Sequence, residues 1–433
     1  MNSYNIIKTY GEDASALYIK NLRKRSSEIL KDINEYISPI IDDVINFGDD
    51  AVIKYSKKFD KVSLTKESLK VSQDEIEYAH NSVSKDFLKA LKASKKNITA
   101  FHEKQKKECW FMNGNGGIMM GQKILPLEKA GIYVPGGTAA YPSSVLMNSI
   151  PAKCAGVDRI IMATPPGPDG KINPYILSAA YEAGITEIYR AGGVQAIAAM
   201  AYGTQTIPKV DKIVGPGNVY VAAAKRMVFG TVDIDMIAGP SEILIIADKS
   251  ADPAFAASDL LSQAEHDVKA SAILITDCSE FAAKVKEELA SQVSFLPRKD
   301  IILSSLNNFG GIIITKNIKN AVRLCNEIAP EHLEIMTENP FEILGSIRNA
   351  GSVFLGSYSP EALGDYMAGP NHVLPTSGTA RFFSPLSVDD FTKKFSFTYY
   401  SKEALSEVSE DIKMLSEAEG LKAHGNSISV RFR

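Results

Sequence analysis

Six histidines occur in this chain of 433 residues, and four of them stand beside groups able to bind a metal or move protons. In LLSQAEHDVKA, Gln263 and His266 are three residues apart near the end of a helical pattern, so both side chains project from one face. A carboxamide oxygen and an imidazole nitrogen so placed make half of a Zn²⁺ site. The plainer alternative is a surface helix end, where His favours the negative end of the dipole. In IAPEHLEIM, Glu331 and His332 are adjacent before a strand-like run. Neighbouring side chains in extended backbone point opposite ways, so the pair would line different walls of a pocket and suit two separate proton transfers. A Pro-Glu helix start with an incidental His also fits. In ALGDYMAGPNHVLPTSGTARF, Asp365 and His372 are separated by a loop, with Gly364, Gly369, Pro370, Pro375 and Gly378 interrupting both helix and strand. Long irregular loops in compact domains usually have a functional reason. His424 follows Glu419 close to the C-terminus and matters only if the tail docks on something. The apolar stripe Leu405, Val408, Ile412 and Leu415 gives the tail a helical face to dock with. His80 and His102 lie in charged helical stretches and are expected to face water. Together the four neighbourhoods point to a metalloenzyme built around His266, His332, His372 and His424.

Those groups need a scaffold. Residues 14 to 108 are charged and helix-periodic, as in Leu22 to Leu30 and Ser84 to Lys107, whereas 131 to 240 is rich in Gly and Pro. Short β-branched runs then alternate with helical patterns. The runs are 159–162, 187–189, 212–214, 242–247, 272–276, 311–315, 334–336 and 353–355. The helices between them are 174–183, 219–229, 253–265, 279–290 and 318–328. Such alternation argues for parallel sheets covered by helices on both faces, with ligands at the carboxyl ends of the strands. The loops TPPGPDG, RAGGVQA and GPGN occupy that position. Gly215-Pro216-Gly217-Asn218-Val219-Tyr220 opens like a dinucleotide fingerprint, but Tyr220 stands where the third glycine belongs. A backbone turn that binds some polar ligand is all this loop supports.

Composition narrows the class. Apolar residues are 45% and charged residues 23%, ordinary for a globular chain whose length suggests two or three domains. A net charge of -3 and the absence of a basic block give no reason to expect nucleic acid or an anionic membrane as partner. No apolar run approaches a membrane span, the N-terminus lacks the apolar core of a signal peptide, and the four cysteines are widely spaced. The expected setting is a reducing cytoplasm. From the residues alone, a zinc hydrolase or a non-enzymatic two-lobed binding protein stays open beside a zinc-dependent oxidoreductase.

The segments GIYVPGG, IVGPGNVYVAAAKR, DMIAGPSEILIIAD, QAEHD, APEHLEI, GDYMAGPNHVLPTSGTARF and GLKAHGNS, in this order, look like the histidinol dehydrogenase family. The resemblance runs from about residue 30 to the C-terminus. Asp233 in GTVDIDM is a departure, where a glycine is expected. The resemblance implies oxidation of L-histidinol to L-histidine through L-histidinaldehyde, the last step of histidine biosynthesis, with NAD and one Zn²⁺ per site. It implies Gln263, His266, Asp365 and His424 as metal ligands, with Glu331 and His332 as proton-transfer residues. Tyr133, Gln195 and Asn218 would contact NAD. Ser241, His332, His372 and Glu419 would contact the substrate alongside the metal ligands. His424 and Glu419 would reach into the site of a second subunit, so the active species would be a homodimer. The implied fold is α/β, with two incomplete Rossmann-like domains of parallel sheet and small helical pieces at each end. The expected divisions are an N-terminal helical extension (1–29), a discontinuous first α/β domain (30–133 and 244–386), a second on the NAD side (134–243), and a tail (387–433) docking on the partner.

Overall fold

The computed structural model describes residues 6–24, 30–136 and 140–433. Residues 25–29 of the expected Leu22 to Leu30 helix, and Gly137 of GIYVPGG, lie outside these. The strands are β1 (Lys8–Gly11), β2 (Trp110–Gly114), β3 (Ile118–Pro126), β4 (Lys129–Tyr133), β5 (Arg159–Thr164), β6 (Glu187–Arg190) and β7 (Lys212–Val214). They continue as β8 (Asp233–Ile234), β9 (Glu242–Ala247), β10 (Ser271–Thr276), β11 (Gly311–Ile314), β12 (His332–Met336), β13 (Ser352–Leu355) and β14 (Thr392–Tyr399). The chain forms two compact units, one of residues 1–105 and 128–391, the other of 106–127 and 392–433.

The first unit holds two parallel sheets, in strand orders β1-β11-β10-β9-β12-β13 and β6-β5-β4-β7-β8. In β9, every residue of EILIIA is buried, as a strand covered on both faces requires. Its alternate side chains serve two cores. Ile243 and Ile245 pack with the helices Pro253–Ala264 and Ser279–Gln292, and Leu244 and Ile246 pack with Ile318–Ile328 on the other face.

The strand pairing departs from the expected divisions. β4 is the middle strand of the smaller sheet, although 30–133 was assigned to the other. The helices Leu30–Phe47 and Asp49–Phe59 also belong there, because Ile37, Ile40, Val44 and Val52 share one core with Ile161, Ile197 and Val221. The N-terminal piece is not purely helical, since β1 extends the six-stranded sheet beside β11. The tail likewise contributes β14 to an antiparallel sheet of order β14-β3-β2 in the second unit.

The GPGN turn follows β7. Gly215 has φ +118°, and a Cβ there would stand 2.0 Å from the Tyr133 carbonyl oxygen, so only glycine lets the ends of β4 and β7 approach. Gly215 N donates to Asp235 Oδ2 at 2.8 Å, and the buried Lys225 Nζ donates to Gly215 O at 3.0 Å and pairs with Asp235.

Candidate active site

His332 is the first residue of β12, paired with Ile243 of β9 and Ser352 of β13. Glu331 precedes the strand and so escapes its alternation. The two side chains therefore meet around the backbone of one residue, Glu242, with Glu331 Oε2 3.7 Å from His332 Nδ1, instead of lining opposite walls. Glu331 Oε2 accepts from Glu242 N at 2.8 Å, while His332 Nδ1–H donates to Glu242 O at 3.0 Å. A carbonyl only accepts, so this bond fixes the tautomer and leaves the Nε2 lone pair free. Nε2 faces Glu361 Oε1 at 3.9 Å. The centre thus lies at the amino ends of the strands, against the carboxyl-end rule. What brings it to the second sheet is the helix Pro142–Ala155, which follows β4: Ser144 Oγ lies 3.4 Å from His372 Nε2, and Asn371 Nδ2 donates to Met147 O at 2.6 Å.

A cavity of about 250 Å³ is lined by His332, Phe354, Leu363, Asp365 and His372 among others. A larger hollow of about 530 Å³ lies against Lys61, Lys70 and Arg190. The Arg190 guanidinium there is already bonded to the carbonyls of Gly170, Ser68 and Lys70 and to Glu75, so it is a structural tie, whereas the smaller cavity gathers the candidate residues.

Asp365 sits on the short helix Glu361–Tyr366, which runs through Gly364 without a break, and its Oδ1 is 3.5 Å from His372 Nδ1. Gln263 lies in the last turn of the helix Pro253–Ala264, and its Nε2 is 3.2 Å from Nδ1 of the exposed His266. Among the described residues, His332, Glu361 and Asp365 each bring a ligand atom within 4.8 Å of the other two. The sequence reading missed Glu361, although its spacing of four from Asp365 on a helical turn was a usable signal.

Burial sets the protonation states. Desolvation lifts Glu331 well above the usual carboxylate range; the Glu242 N–H opposes this, and the charges of Glu242, Asp365 and Glu361 add to it. Desolvation lowers His332, with Asp365 opposing. Glu361 is pushed up to about 7 by burial and by Asp365. Burial also pushes Asp365 upward, but its bond to His372 and the charges of His372, His332 and His266 outweigh that and leave it lowered.

A metal can be accommodated here. Gln263 Oε1 is buried without a hydrogen-bond partner, beside His266, and His266 acts electrostatically on Asp365. An oxygen, an imidazole and an ionised carboxylate suit Zn²⁺. The His332 Nδ1 is already committed to the Glu242 carbonyl, and only its Nε2 faces the Glu361 and Asp365 side.

The remaining expected residues are placed as follows. Tyr133 ends β4, Gln195 lies in the first turn of the helix Gly193–Tyr202, and Asn218 caps the helix Val219–Val228, its Oδ1 accepting from Tyr220 N and Val221 N at 3.1 Å. All three are at carboxyl ends of the smaller sheet. Ser241 precedes β9 and is half-buried. Glu419 and His424 belong to the second unit, both exposed, at the end of the helix Ser409–Ala418 and on Lys422–Ser429. Neither His80 nor His102 faces water as expected. His80 is largely covered, stacked on Tyr181 and 3.6 Å from Glu182. His102 is fully buried, because the helix Lys85–Glu103 packs on Pro142–Ala155; its Nε2 receives Asn371 Nδ2 at 3.4 Å, next to His372.

The histidinol dehydrogenase family model matches residues 23–432. Histidinol dehydrogenase of Clostridium acetobutylicum is 58% identical over 416 residues, 96% of each chain. That of Caldanaerobacter subterraneus is 60% identical over 411 residues, 95% of each. The crystal structure of the Elizabethkingia anophelis histidinol dehydrogenase superposes with a TM-score of 0.93 at 42% identity, covering 99% of this chain and 98% of that one. With both the motifs and the whole fold matched, the chain belongs to the histidinol dehydrogenase family of oxidoreductases.

Proposed function

We propose that this chain catalyses the zinc-dependent, NAD-linked, four-electron oxidation of L-histidinol to L-histidine through L-histidinaldehyde, as the last step of histidine biosynthesis. What supports this, beside the family, is one buried centre where desolvation lowers the His332 imidazole and raises the Glu331 carboxyl, with an unpaired Gln263 oxygen against His266. The oxidation consumes one water and releases hydride twice and protons three times, so the site needs two distinct bases. His332 Nε2 takes the hydroxyl proton in the first oxidation, its lone pair held in place by the Nδ1–H bond to Glu242 O. Glu331 takes a proton from the water that adds to the aldehyde. A raised carboxyl is a stronger base once ionised, which suits that task. Ser241, His372 and Glu419 orient the substrate.

Gln263, His266, Asp365 and His424 would hold Zn²⁺, which supplies a Lewis-acid anchor for substrate nitrogens. Tyr133, Gln195 and Asn218 would hold NAD, the hydride acceptor of both oxidations. His424 and Glu419 come from a second copy of the chain, so the active species is a homodimer. The direct test adds L-histidinol and NAD to the protein and follows NADH. Two NADH per histidinol are expected, with activity lost to a chelator and regained with zinc. No NADH sinks the reading, and activity indifferent to chelation sinks its metal half.

A further inference from the structure

Away from the His332 cavity, a second group of buried polar atoms lacks partners. Both amide atoms of Gln195, 1% exposed, the Thr164 hydroxyl and Asp60 Oδ2 make no hydrogen bond. Folded chains rarely leave several such groups unsatisfied unless a ligand, an ion or ordered water meets them. The three residues converge at one place in the smaller sheet. Thr164 ends β5, and Gln195 opens the helix after β6, where Gly193 N donates to the Tyr133 hydroxyl at 3.0 Å. Asp60 arrives from outside the strand-helix repeat, capping the helix Asp49–Phe59. Its Oδ1 is 3.4 Å from where a Cβ on Gly192 would stand, and Pro165 is closer still at 2.6 Å. Burial pushes this carboxyl up to about 6, tempered by the Ser56 hydroxyl, so it is ionised at neutral pH.

Dinucleotide folds commonly carry an acid at the end of the second strand to bind a ribose diol. β5 is the second strand of this sheet, and Pro165 and Pro166 follow it directly. Asp169, further along the loop, is turned to its own backbone, accepting from Lys171 N at 3.1 Å. The acid is therefore missing from its usual place and present in space.

We infer that Asp60 selects the dinucleotide: its carboxylate accepts hydrogen bonds from a ribose diol of NAD at the ends of β4, β5 and β6, and repels a 2′-phosphorylated dinucleotide. This rests on NAD being the cofactor. The test measures NAD and NADP binding calorimetrically on the zinc-loaded protein and on Asp60→Asn and Asp60→Ser. Losing a charge-assisted bond weakens NAD by about tenfold or more, and both variants narrow the preference for NAD over NADP. The unliganded melting temperature does not fall in Asp60→Asn, because a desolvated carboxyl is removed; a purely structural role would lower it. NAD affinity within about twofold of the parent in both variants, or an unchanged NAD/NADP ratio, overturns the inference. A parent chain that binds neither dinucleotide overturns the cofactor reading, and Asp60 with it.

Discussion

Glu331 and His332, the two bases proposed for the two oxidations, are tuned in opposite directions by one environment. Burial disfavours the charged form of each, lowering the imidazole and raising the carboxyl, so Glu331 is the stronger base of the two once it has ionised. Glu331→Gln keeps the bond from Glu242 N but removes the base for water. We expect alcohol oxidation to persist within several-fold and aldehyde oxidation to fall by about 10²- to 10⁴-fold, measured as NADH formed separately from histidinol and from histidinaldehyde. Equal loss of both halves would reject the assignment. The pH dependence has a definite sign. His332, being lowered, is already neutral below the usual imidazole range, whereas Glu331, being raised, ionises only above the usual carboxylate range. The alcohol step should reach its plateau at lower pH than ordinary imidazole titration would give, and the aldehyde step should rise with pH until Glu331 ionises. The Glu331-His332 and Asp365-His372 pairs were legible in the sequence because each sits within one short segment. Asp60 was not, since only the fold brings it to Gly192, and His102 was misread because a charged flanking sequence hid a fully covered ring.

At the level of elements, the helix Pro253–Ala264 and β12 face each other through two acids. Asp259 and Glu334 shift each other's titration, and Glu334 Oε1 accepts from Glu361 N at 2.7 Å, tying this pair to the helix that carries Asp365. Burial lifts Glu334 well above its ordinary value and Asp259 from 3.8 to about 6. A raised carboxyl contributes stability that is fully present below its unfolded pKa and is lost as pH rises through its folded one. For Asp259 that window runs from 3.8 to about 6. Over it the parent should lose up to roughly 3 kcal/mol that Asp259→Asn does not lose. Melting curves at pH about 4 and about 7 test this, and equal falls in both proteins would refute it. The buried β-branched runs made β9 and β10 legible, because a strand covered on both faces can hardly be anything else. β1 and β4 were missed, KTYG and KAGIY being too short and mixed to stand out. The helical periodicity over 30–59 was legible but not which sheet those helices cover, since that choice is made by packing partners more than a hundred residues away, such as Ile161 and Ile197 against Ile37.

On the scale of the whole molecule, the residues assigned to one site are divided between two units, with Gln263, His266 and Asp365 in one and Glu419 and His424 in the other. Spacing along the chain does not say whether such a site is completed within a chain or between chains; the homodimer came from the family resemblance alone. The second unit has surface to offer a partner: Phe111, Phe395, Phe397 and Tyr399 share one face of its antiparallel sheet and are all exposed. Contiguous apolar exposure of this kind usually marks an interface. Sharing between subunits can be tested with two dead chains. His266→Ala loses a ligand of its own first unit, and His424→Ala loses the one it would lend to its partner. In a hybrid dimer, the site built on the first unit of the His424→Ala chain retains His266 and receives His424 from the other chain. The opposite site carries both defects. Random reassortment of equal amounts should restore about a quarter of the parental activity, half the dimers being hybrid with one intact site each. Sites completed within one chain would give no recovery at any mixing ratio, because every site in every dimer would then lack a ligand.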